Sequence, residues 1–359
     1  MRVAVLGANG FIGTRLMERL LLGGTCQARA LIRRPSALAR LARFPAVDFR
    51  ITDALNPERL AADLAGCDAL IHAMVGDERQ IVAAASVAAK ACASVGARLV
   101  YLSSASVHGQ NPPAGTNETS PVSDKQPVAY NNAKVRAERA LARSGHRDLA
   151  ILRPGIVYGP RSQWTEGLRA ALRSGTAYLV NGGTGICNHV YVDNLIHAIL
   201  LCLNHPRASE GPFYIADTEA LSWRDFYQPF VEGWGYSMEE VWDVPPAQAP
   251  RPGLRERTMR MRTGSLGRAL LPKLPRSLKD AVRAIVEASG KARSEADGFS
   301  LPTDAPPVAD YETSQLHCCR TRLPMQRAPT VLGYQPLVSF EEAVQRTLCP
   351  WPSSGLSHL

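Results

Sequence analysis

The chain has 359 residues, of which 45% are hydrophobic and 20% are charged, and its formal net charge at pH 7 is +9. This length accommodates one large domain with a second, smaller lobe, and the composition is that of a globular protein, which excludes the disordered and fibrous classes. The longest strongly apolar run, at residues 195–203, is far shorter than the roughly 20 residues that cross a bilayer, so we expect no membrane span.

The first residues lead directly into an apolar strand pattern, without the charged, apolar and cleavage regions of a signal peptide, so we expect a cytoplasmic protein. The eight cysteines are scattered, which favours reduced thiols. His317, Cys318 and Cys319 form a cluster, but no second Cys/His pair stands at metal-ligand spacing, and we expect no metal site. Much of the excess basic charge lies at residues 251–293; we interpret this segment as solvated and expect no nucleic-acid partner.

From residue 2 to residue 153, short apolar runs alternate with helical patterns, which is typical of a parallel sheet with crossover helices. The runs lack polar alternation, so we expect strands that are buried on both faces. Strands are predicted at residues 3–6, 28–32, 47–51, 69–73, 99–102 and 149–152, and helices at 11–22, 57–64, 79–95 and 128–143. The pattern predicts an α/β fold: a doubly wound parallel Rossmann sheet with a smaller C-terminal substrate-binding lobe.

The chain beyond residue 153 is less regular. Gly182, Gly183 and Gly185 predict a turn, and further elements are predicted as a helix at 193–203, a strand at 213–215, a helix at 277–288 and a final helix at 339–348 with Ser339 as its N-cap. We predict an NADP-binding Rossmann domain at residues 1–175, to which 188–215 return, a substrate-binding lobe at 176–187 and 216–348 with a Pro/Arg-rich insertion at about 245–307, and a tail at 349–359.

A glycine-rich turn lies between the first predicted strand and the first predicted helix. Gly7, Gly10 and Gly13 permit a tight turn and let backbone N–H groups approach a pyrophosphate. The position between strand and helix, more than the spacing of the glycines, predicts dinucleotide binding; a plain glycine-rich turn is the alternative. The expected cofactor contacts of this loop are Gly7, Asn9, Gly10, Phe11, Ile12 and Gly13.

The residues that end the second predicted strand indicate which dinucleotide is bound. An NAD-binding domain usually has Asp or Glu about 20 residues past the loop, to bind the ribose 2′-hydroxyl. This chain has Arg33 and Arg34, whose guanidinium groups suit a 2′-phosphate and favour NADP(H) over NAD(H). A solvated surface pair is the alternative. Asp53, after the third strand, is placed to accept a hydrogen bond from the adenine amino group, although a plain turn residue is equally ordinary.

Three polar side chains predict the chemistry. Tyr130 and Lys134 are four residues apart in a predicted helix and share a face, and Ser104 follows the strand at 99–102, at the carboxyl edge where such sheets carry their active sites. A neighbouring ammonium group and an oxidised nicotinamide are expected to lower the pKa of the phenol. Tyr130 then exchanges a proton with the substrate oxygen, Ser104 holds that oxygen, and Lys134 also binds the nicotinamide ribose.

These residues resemble the extended short-chain dehydrogenase/reductase superfamily, which includes NAD(P)-dependent epimerases, dehydratases, and steroid-type and flavonol-type reductases. The resemblance covers almost the whole chain; it includes residues 7–13, Asp53, 72–73, Ser104, Tyr130, Lys134, 153–160, 189–193 and 332–340. It implies further cofactor contacts at Ala54, His72, Ala73, Met74, Ser103, Pro154, Gly155, Ile156 and Val157. The helices at 79–95 and 128–143 resemble those that pair in family dimers, which suggests a homodimer.

The departures from the family pattern narrow the reaction. No Asn stands near Gly155, residues 81–85 replace the usual Asn-x-x-Gly-Thr, and Ser106 stands where sugar dehydratases have an acidic residue, so a nucleotide-sugar dehydratase is not favoured. His108 replaces the common Tyr before Gly109. Ser106, His108 and His189 are candidate substrate contacts, although a structural role is the commoner one for such histidines.

The leading interpretation is an NADP(H)-dependent oxidoreductase that reduces a ketone or aldehyde, or oxidises the alcohol, and resembles the steroid-type branch with a small-molecule substrate. An NAD-dependent epimerase that acts through a transient ketone is the alternative within enzymes. A non-catalytic dinucleotide-binding protein is the alternative outside them, because the Rossmann fold is widely reused.

Overall fold

A seven-stranded parallel sheet organises the chain. The computed structural model describes residues 1–24, 26–44, 47–249 and 305–349. The strands are β1 (Arg2–Leu6), β2 (Gln27–Ile32), β3 (Asp48–Ile51), β4 (Ala69–His72), β5 (Arg98–Leu102), β6 (Leu149–Pro154), β7 (Ile156–Tyr158), β8 (Tyr178–Val180), β9 (Ile186–Cys187), β10 (His189–Tyr191), β11 (Phe213–Ile215), β12 (Leu221–Ser222) and β13 (Trp242–Val244). The order in the sheet is β11-β6-β5-β4-β1-β2-β3, with every neighbouring pair parallel. The predicted doubly wound sheet is confirmed.

The helices cover both faces of this sheet. They are α1 (Phe11–Gly23), α2 (Pro57–Asp63), α3 (Glu78–Val95), α4 (Ala129–Arg143), α5 (Gln163–Arg173), α6 (Val192–Asn204), α7 (Trp223–Gly233), α8 (Tyr311–His317), α9 (Arg327–Leu332) and α10 (Phe340–Leu348). Alternate side chains of each strand point to opposite faces. Val3 and Val5 therefore pack in one core with α1 and α6, whereas Ala4 and Leu6 pack in the other with α2, α3 and α4.

The strand order reverses next to β1. The chain runs outward from β1 through β2 to β3 and then returns to place β4 on the other side of β1. Loops that leave the carboxyl ends of β1 and β4 therefore diverge and open a crevice, which is where doubly wound sheets bind their ligands. The glycine loop leaves β1 at Gly7, and Ala73 and Met74 leave β4 at the same edge.

The expectation of burial on both faces is wrong for one predicted strand, at residues 47–51. Phe49 and Ile51 are 39% and 46% exposed. The reason is the position of β3 at the end of the sheet, where β2 is its only neighbour among the described strands. Sequence periodicity identifies an apolar strand but not its place in the strand order.

The elements after β6 contain more secondary structure than the sequence indicates. β7 pairs with β10, β8 with β13, and β9 with β12, each over two or three residues. The helices α5, α7, α8 and α9 were not predicted, whereas the predicted elements at 193–203, 213–215 and 339–348 correspond to α6, β11 and α10. The predicted helix at 277–288, and most of the insertion at 245–307 and of the tail at 349–359, lie outside the described residues.

Candidate active site

The glycine loop is packed too tightly for larger residues. Gly7 has a φ of +87°, and a Cβ there would lie 2.9 Å from the carbonyl carbon and oxygen of Ala73. A Cβ on Gly13 would lie 2.0 Å from the carbonyl oxygen of Gly7, and the N–H of Gly10 donates to that same oxygen at 3.0 Å. The loop therefore folds back on itself against the end of β4, and only glycine fits at these two positions.

The N-terminus of α1 is built to receive an anion. Its N-cap is Gly10, no side chain caps the first turn, and no acidic residue lies in that turn. The unpaired N–H groups and the helix dipole therefore favour a negative group at this point, which fits the pyrophosphate of a dinucleotide. Asn9 and Gly10 are exposed there, and Phe11 and Ile12 are half-buried.

A cluster of arginines follows β2. Arg33 and Arg34 are exposed, and in the described part of the chain neither forms an ion pair with a carboxylate. The structure adds Arg40, whose guanidinium donates to the carbonyl oxygen of Asn9 at 3.5 Å and so lies beside the glycine loop. Arg40 was not among the predicted cofactor contacts, although its place in an arginine-rich run, seven residues after Arg33, was a signal.

The residues past β3 are placed less distinctively. Asp53 is exposed, and its Oδ1 accepts a hydrogen bond from the N–H of Leu55 at 2.9 Å. This bond is the ordinary one of an Asx turn, and it leaves the second carboxylate oxygen for another donor. Ala54 beside it is half-buried.

Ser104, Tyr130 and Lys134 are brought together at the carboxyl end of β5. Ser104 caps a short 3₁₀ turn, and its Oγ lies 2.8 Å from the Oγ of Ser106. The Lys134 Nζ donates to the carbonyl oxygen of Leu102 at 2.7 Å and lies 5.6 Å from the centre of the Tyr130 ring. The backbone of β5 thus fixes the lysine, and α4 fixes the tyrosine one helical turn away.

Burial sets the charge states of this group. It raises the pKa of Tyr130 to about 12, while hydrogen bonding with Ser104 acts in the opposite direction. It lowers the pKa of Lys134 to about 8, against the influence of the Glu138 carboxylate. The sequence predicted a lowered pKa for this phenol. The protein groups alone raise it, because desolvation outweighs the hydrogen bond with Ser104. The phenol is neutral and holds its proton.

A buried ion pair links β6 to α4 next to the candidate site. Arg153 of β6 donates to both carboxylate oxygens of Glu138 in α4, at 3.0 and 2.6 Å, and to the carbonyl oxygen of Glu118 at 2.8 Å. The hydroxyl of Ser103 donates to Glu138 at 2.5 Å. The hydroxyl of Ser103 is therefore bonded inside the protein, where Glu138 links β5, α4 and β6. Sequence reasoning did not identify Glu138.

Glu312 of α8 is a second carboxylate that the sequence did not indicate. It accepts a hydrogen bond from the side-chain amide of Gln110 at 2.9 Å, and Gln110 in turn is paired with Asn131, the residue after Tyr130. Its charge adds to the rise in the pKa of Tyr130. More than 200 residues separate Glu312 from Gln110, which is why no local pattern connects them.

The residues after β4 and β6 complete the crevice. His72 is buried with both ring nitrogens unpartnered, and burial together with the Lys134 charge lowers its pKa to about 3, so it is neutral. Ala73 and Met74 are half-buried. Pro154 ends β6, and Ile156 and Val157 begin β7. Gly155 between them approaches a neighbouring segment so closely that a Cβ would lie 2.1 Å from the carbonyl oxygen of Asn188.

The three candidate substrate contacts differ in position. Ser106 lies beside Ser104. The Nε2 of His108 lies 3.0 Å from the carbonyl oxygen of Ser120, so it donates, and Nδ1 accepts from the Tyr214 hydroxyl at 2.5 Å; both ring nitrogens are used.

His189 is 1% exposed, and its Nδ1 lies 3.3 Å from the Asp217 carboxylate within a group of aromatic rings. It lies in the core, and its Nε2 has no hydrogen-bond partner among the described residues. Of the three candidates, Ser106 alone lies within hydrogen-bond distance of Ser104.

A cavity of about 560 Å³ lies between the loop that precedes α4 and helix α8. Its walls include His108, Gln126, Asn131, Tyr311 and Gln315, but not Ser104, Tyr130 or Lys134. The amides of Gln126 and Asn131 are already satisfied by protein groups.

The described residues offer neither a metal site nor a membrane-spanning helix. No three His, Cys, Asp or Glu side chains converge there in a way that could hold a metal ion. Within the same residues, no helix combines the length and the apolar character that crossing a membrane requires.

The fold and the site define an enzyme of the extended short-chain dehydrogenase/reductase type. The profile of the NAD dependent epimerase/dehydratase family matches residues 3–216, which is more than half of the chain. The chain therefore belongs to this family.

Relatives within the family carry out different reactions. A 3 beta-hydroxysteroid dehydrogenase/Delta 5-->4-isomerase of Mycobacterium tuberculosis is 32% identical over 262 residues, 65% of this chain and 70% of that protein. A 3beta-hydroxysteroid-dehydrogenase/decarboxylase of Arabidopsis thaliana is 23% identical over 391 residues, 99% of this chain and 79% of that protein. The structure of a UDP-glucuronic acid 4-epimerase from Bacillus cereus, with UDP-glucuronic acid and NAD, has a TM-score of 0.66 at 17% identity and covers 97% of this chain and 98% of its own.

Proposed function

We propose that this protein is an NADP(H)-dependent oxidoreductase that reduces a ketone or aldehyde, or oxidises the corresponding alcohol. The observation that carries the proposal is the exposed pair Arg33 and Arg34 at the end of β2, with Arg40 beside the glycine loop through its bond to Asn9. Three cations without a described carboxylate partner suit a 2′-phosphate and offer no acceptor to a free 2′-hydroxyl. The names of the two steroid dehydrogenase relatives support net oxidoreduction.

The chain's own residues account for the proton. The bound cofactor supplies the hydride that reduces the carbonyl carbon, or accepts it in the reverse direction. Ser104 donates a hydrogen bond to the carbonyl oxygen and orients it. The neutral phenol of Tyr130 gives its proton to the same oxygen, which yields the alcohol. Lys134, held on Leu102, stabilises the phenolate that remains.

Two alternatives have weaker support. Epimerisation through a transient ketone uses the same three residues with retained NAD, and the structurally similar epimerase was determined with NAD. The arginines after β2 argue against NAD. A non-catalytic dinucleotide-binding protein has no need of the Ser104, Tyr130 and Lys134 arrangement, which the chain keeps intact.

The first test is a titration of NADPH and NADH against the wild type and the Arg33→Ala/Arg34→Ala variant. We expect the wild type to bind NADPH more tightly, and the variant to lose about 10-fold or more of its NADPH affinity while its NADH affinity changes little, because each charge-assisted hydrogen bond to a phosphate is worth about 1.5–3 kcal/mol. Arg40→Ala should show a smaller loss of the same kind.

The control removes two other arginines. Arg143 and Arg147 are exposed and have no described ion-pair partner, so Arg143→Ala/Arg147→Ala lowers the net charge equally without touching the crevice. Equal losses of NADPH affinity in both double variants would show that overall charge causes the effect, and not the position of Arg33 and Arg34. Tightly retained NAD that is indifferent to Arg33 and Arg34 would contradict the proposal and favour the epimerase.

We also propose a homodimer, because helices α3 and α4 resemble those that pair in family dimers. We propose a cytoplasmic location as well. The expected substrate is a small molecule, with neither a nucleic acid nor a membrane as partner.

A further inference from the structure

Residues 319–325, which we name the C-terminal strap, cross the carboxyl ends of three neighbouring strands. The hydroxyl of Thr321 donates to the carbonyl oxygen of Pro112, in the loop that follows β5, at 2.7 Å. At the other end of the strap, the Sδ of Met325 lies 2.9 Å from the backbone nitrogen of Ala216, which directly follows β11. Because β6 lies between β5 and β11, the strap passes over the end of β6 as well.

Asn188 fastens the middle of the strap to the turn after β6. Its Oδ1 accepts from the N–H of Leu323 at 2.8 Å, and its side-chain nitrogen donates to the carbonyl oxygen of Thr321 at 3.0 Å. The backbone oxygen of Asn188 accepts from the N–H of Ile156 at 2.7 Å. One residue therefore holds both the strap and the turn that carries Gly155.

This arrangement places the Leu323 side chain between two parts of the candidate active site. Leu323 is buried in a small cluster with Ala105 and Tyr214, with Met325 packed against it. Ala105 directly follows Ser104. On the other side, the Leu323 Cδ1 lies 3.6 Å from the position that a Cβ of Gly155 would take. The side chain thus lies between Ala105, the residue after Ser104, and the turn at the end of β6.

We propose that Leu323 determines specificity by limiting the bulk of the substituent beside the reacting carbonyl, and that this substituent is uncharged and apolar. The inference rests on the proposed reductase function. The side chains around Leu323 are those of Ala105, Met325 and Tyr214; none of them is charged, and the Tyr214 hydroxyl already bonds to His108. A charged substituent would therefore lose its hydration without compensation. The arginines that flank Leu323, Arg320 and Arg322, are exposed, and Arg322 bonds to the carbonyl oxygen of Thr218.

The test compares two methyl ketones, 2-butanone and the bulkier acetophenone, in Leu323→Ala and Leu323→Phe. We expect the ratio of kcat/KM for the bulky ketone to that for the small one to rise about 10-fold or more in Leu323→Ala and to fall by a similar factor in Leu323→Phe, since one methylene in an apolar pocket changes selectivity by about 10-fold or more. Leu337→Ala is the matched control, because Leu337 is 59% exposed; its ratio should equal that of the wild type.

Two further measurements test the role of Leu323 separately. One controls for a folding defect, and the other does not depend on reductase activity. Leu323→Met conserves volume and should keep the wild-type ratio. Acetamide and benzamide are carbonyl analogues that cannot be reduced in this way, and their binding to the enzyme–NADP⁺ complex should show the same reversal between the Ala and Phe variants. A wild type that reduces neither ketone counts against the reductase alone, since the amides still test Leu323. Ratios within twofold of wild type in both Leu323 variants, in either assay, overturn the inference.

Discussion

Of the three residues Ser104, Tyr130 and Lys134, Lys134 is the one whose charge changes nearest to physiological pH. Burial lowers its pKa to about 8, whereas Tyr130 keeps its proton up to about 12. The ammonium form of Lys134 exists below that pKa and is lost as the pH rises through it. We therefore predict that kcat/KM for carbonyl reduction is constant at lower pH and falls above about pH 8. A pH–rate profile with saturating cofactor measures this limb.

Substitutions test the roles of single residues in this pH profile. Tyr130→Phe removes the proton donor and should lower kcat/KM by about 10²–10⁴-fold at every pH. Tyr236→Phe is the matched control, because no described partner binds the Tyr236 hydroxyl, and it should leave the profile unchanged. A profile that stays flat through pH 8 in the wild type would show that the reaction does not need the charge on Lys134.

At the scale of elements, two helical glycines can be compared: close packing requires glycine at Gly13, whereas only helix propensity is at stake at Gly167. A Cβ on Gly13 in α1 would lie 2.0 Å from the Gly7 carbonyl oxygen, whereas one on Gly167 in α5 would meet nothing within 4 Å. We predict that Gly13→Ala destabilises the fold and abolishes dinucleotide binding. Gly167→Ala should raise stability by about 0.5–1 kcal/mol, because alanine loses less backbone entropy in a helix. Chemical denaturation and a cofactor titration measure both effects; a harmless Gly13→Ala would mean that the turn can open.

How much of the fold the sequence predicts depends on the length of each element. The sheet strands β1 to β6 and helices α1 to α4 lie within about two residues of their predicted bounds, because each carries its own apolar pattern. The paired strands β7 to β10 and β12 to β13 are two or three residues long and too short for a period to show. Helix α5 carries Gly167 and helix α7 carries Pro229, which weaken the helical pattern.

The candidate site divides in the same way. Gly7 to Gly13, Ser104, Tyr130 and Lys134 could be predicted as site residues because each belongs to a local pattern: a strand-to-helix turn, the end of a strand, or a spacing of four within one helix. Glu138, Glu312 and Leu323 act through contacts with distant parts of the chain, such as Glu312 with Gln110 or Leu323 with Asn188. Sequence spacing contains no signal for such pairs, since their contact depends on the strand order and on the path of the last 50 or so residues.

In the whole molecule, one ion-pair network joins the first helix to the last. Glu18 in α1 is 1% exposed and pairs with Arg15, Arg43 and Arg161 at 2.8–3.2 Å. Arg15 also pairs with Asp193 of α6 at 2.7 Å, and Asp193 pairs with Arg346 of α10 at 3.3 Å. A buried carboxylate with several guanidinium partners is costly to disrupt, because removing its charge leaves the arginines facing one another.

This network predicts a global effect of a single substitution away from the active site. Glu18→Gln keeps the shape of the side chain but removes the charge, and we expect it to lower the free energy of unfolding by about 1–3 kcal/mol, toward the lower end because Arg43 and Arg161 are about half exposed and regain water. Glu341→Gln on the exposed face of α10 is the control and should change stability little. Denaturant midpoints measure both. Because the network holds α1 against α6 and α10 while the glycine loop begins α1, weaker cofactor binding at elevated temperature should accompany the loss of stability; an unchanged midpoint in Glu18→Gln would mean that packing alone holds these helices together.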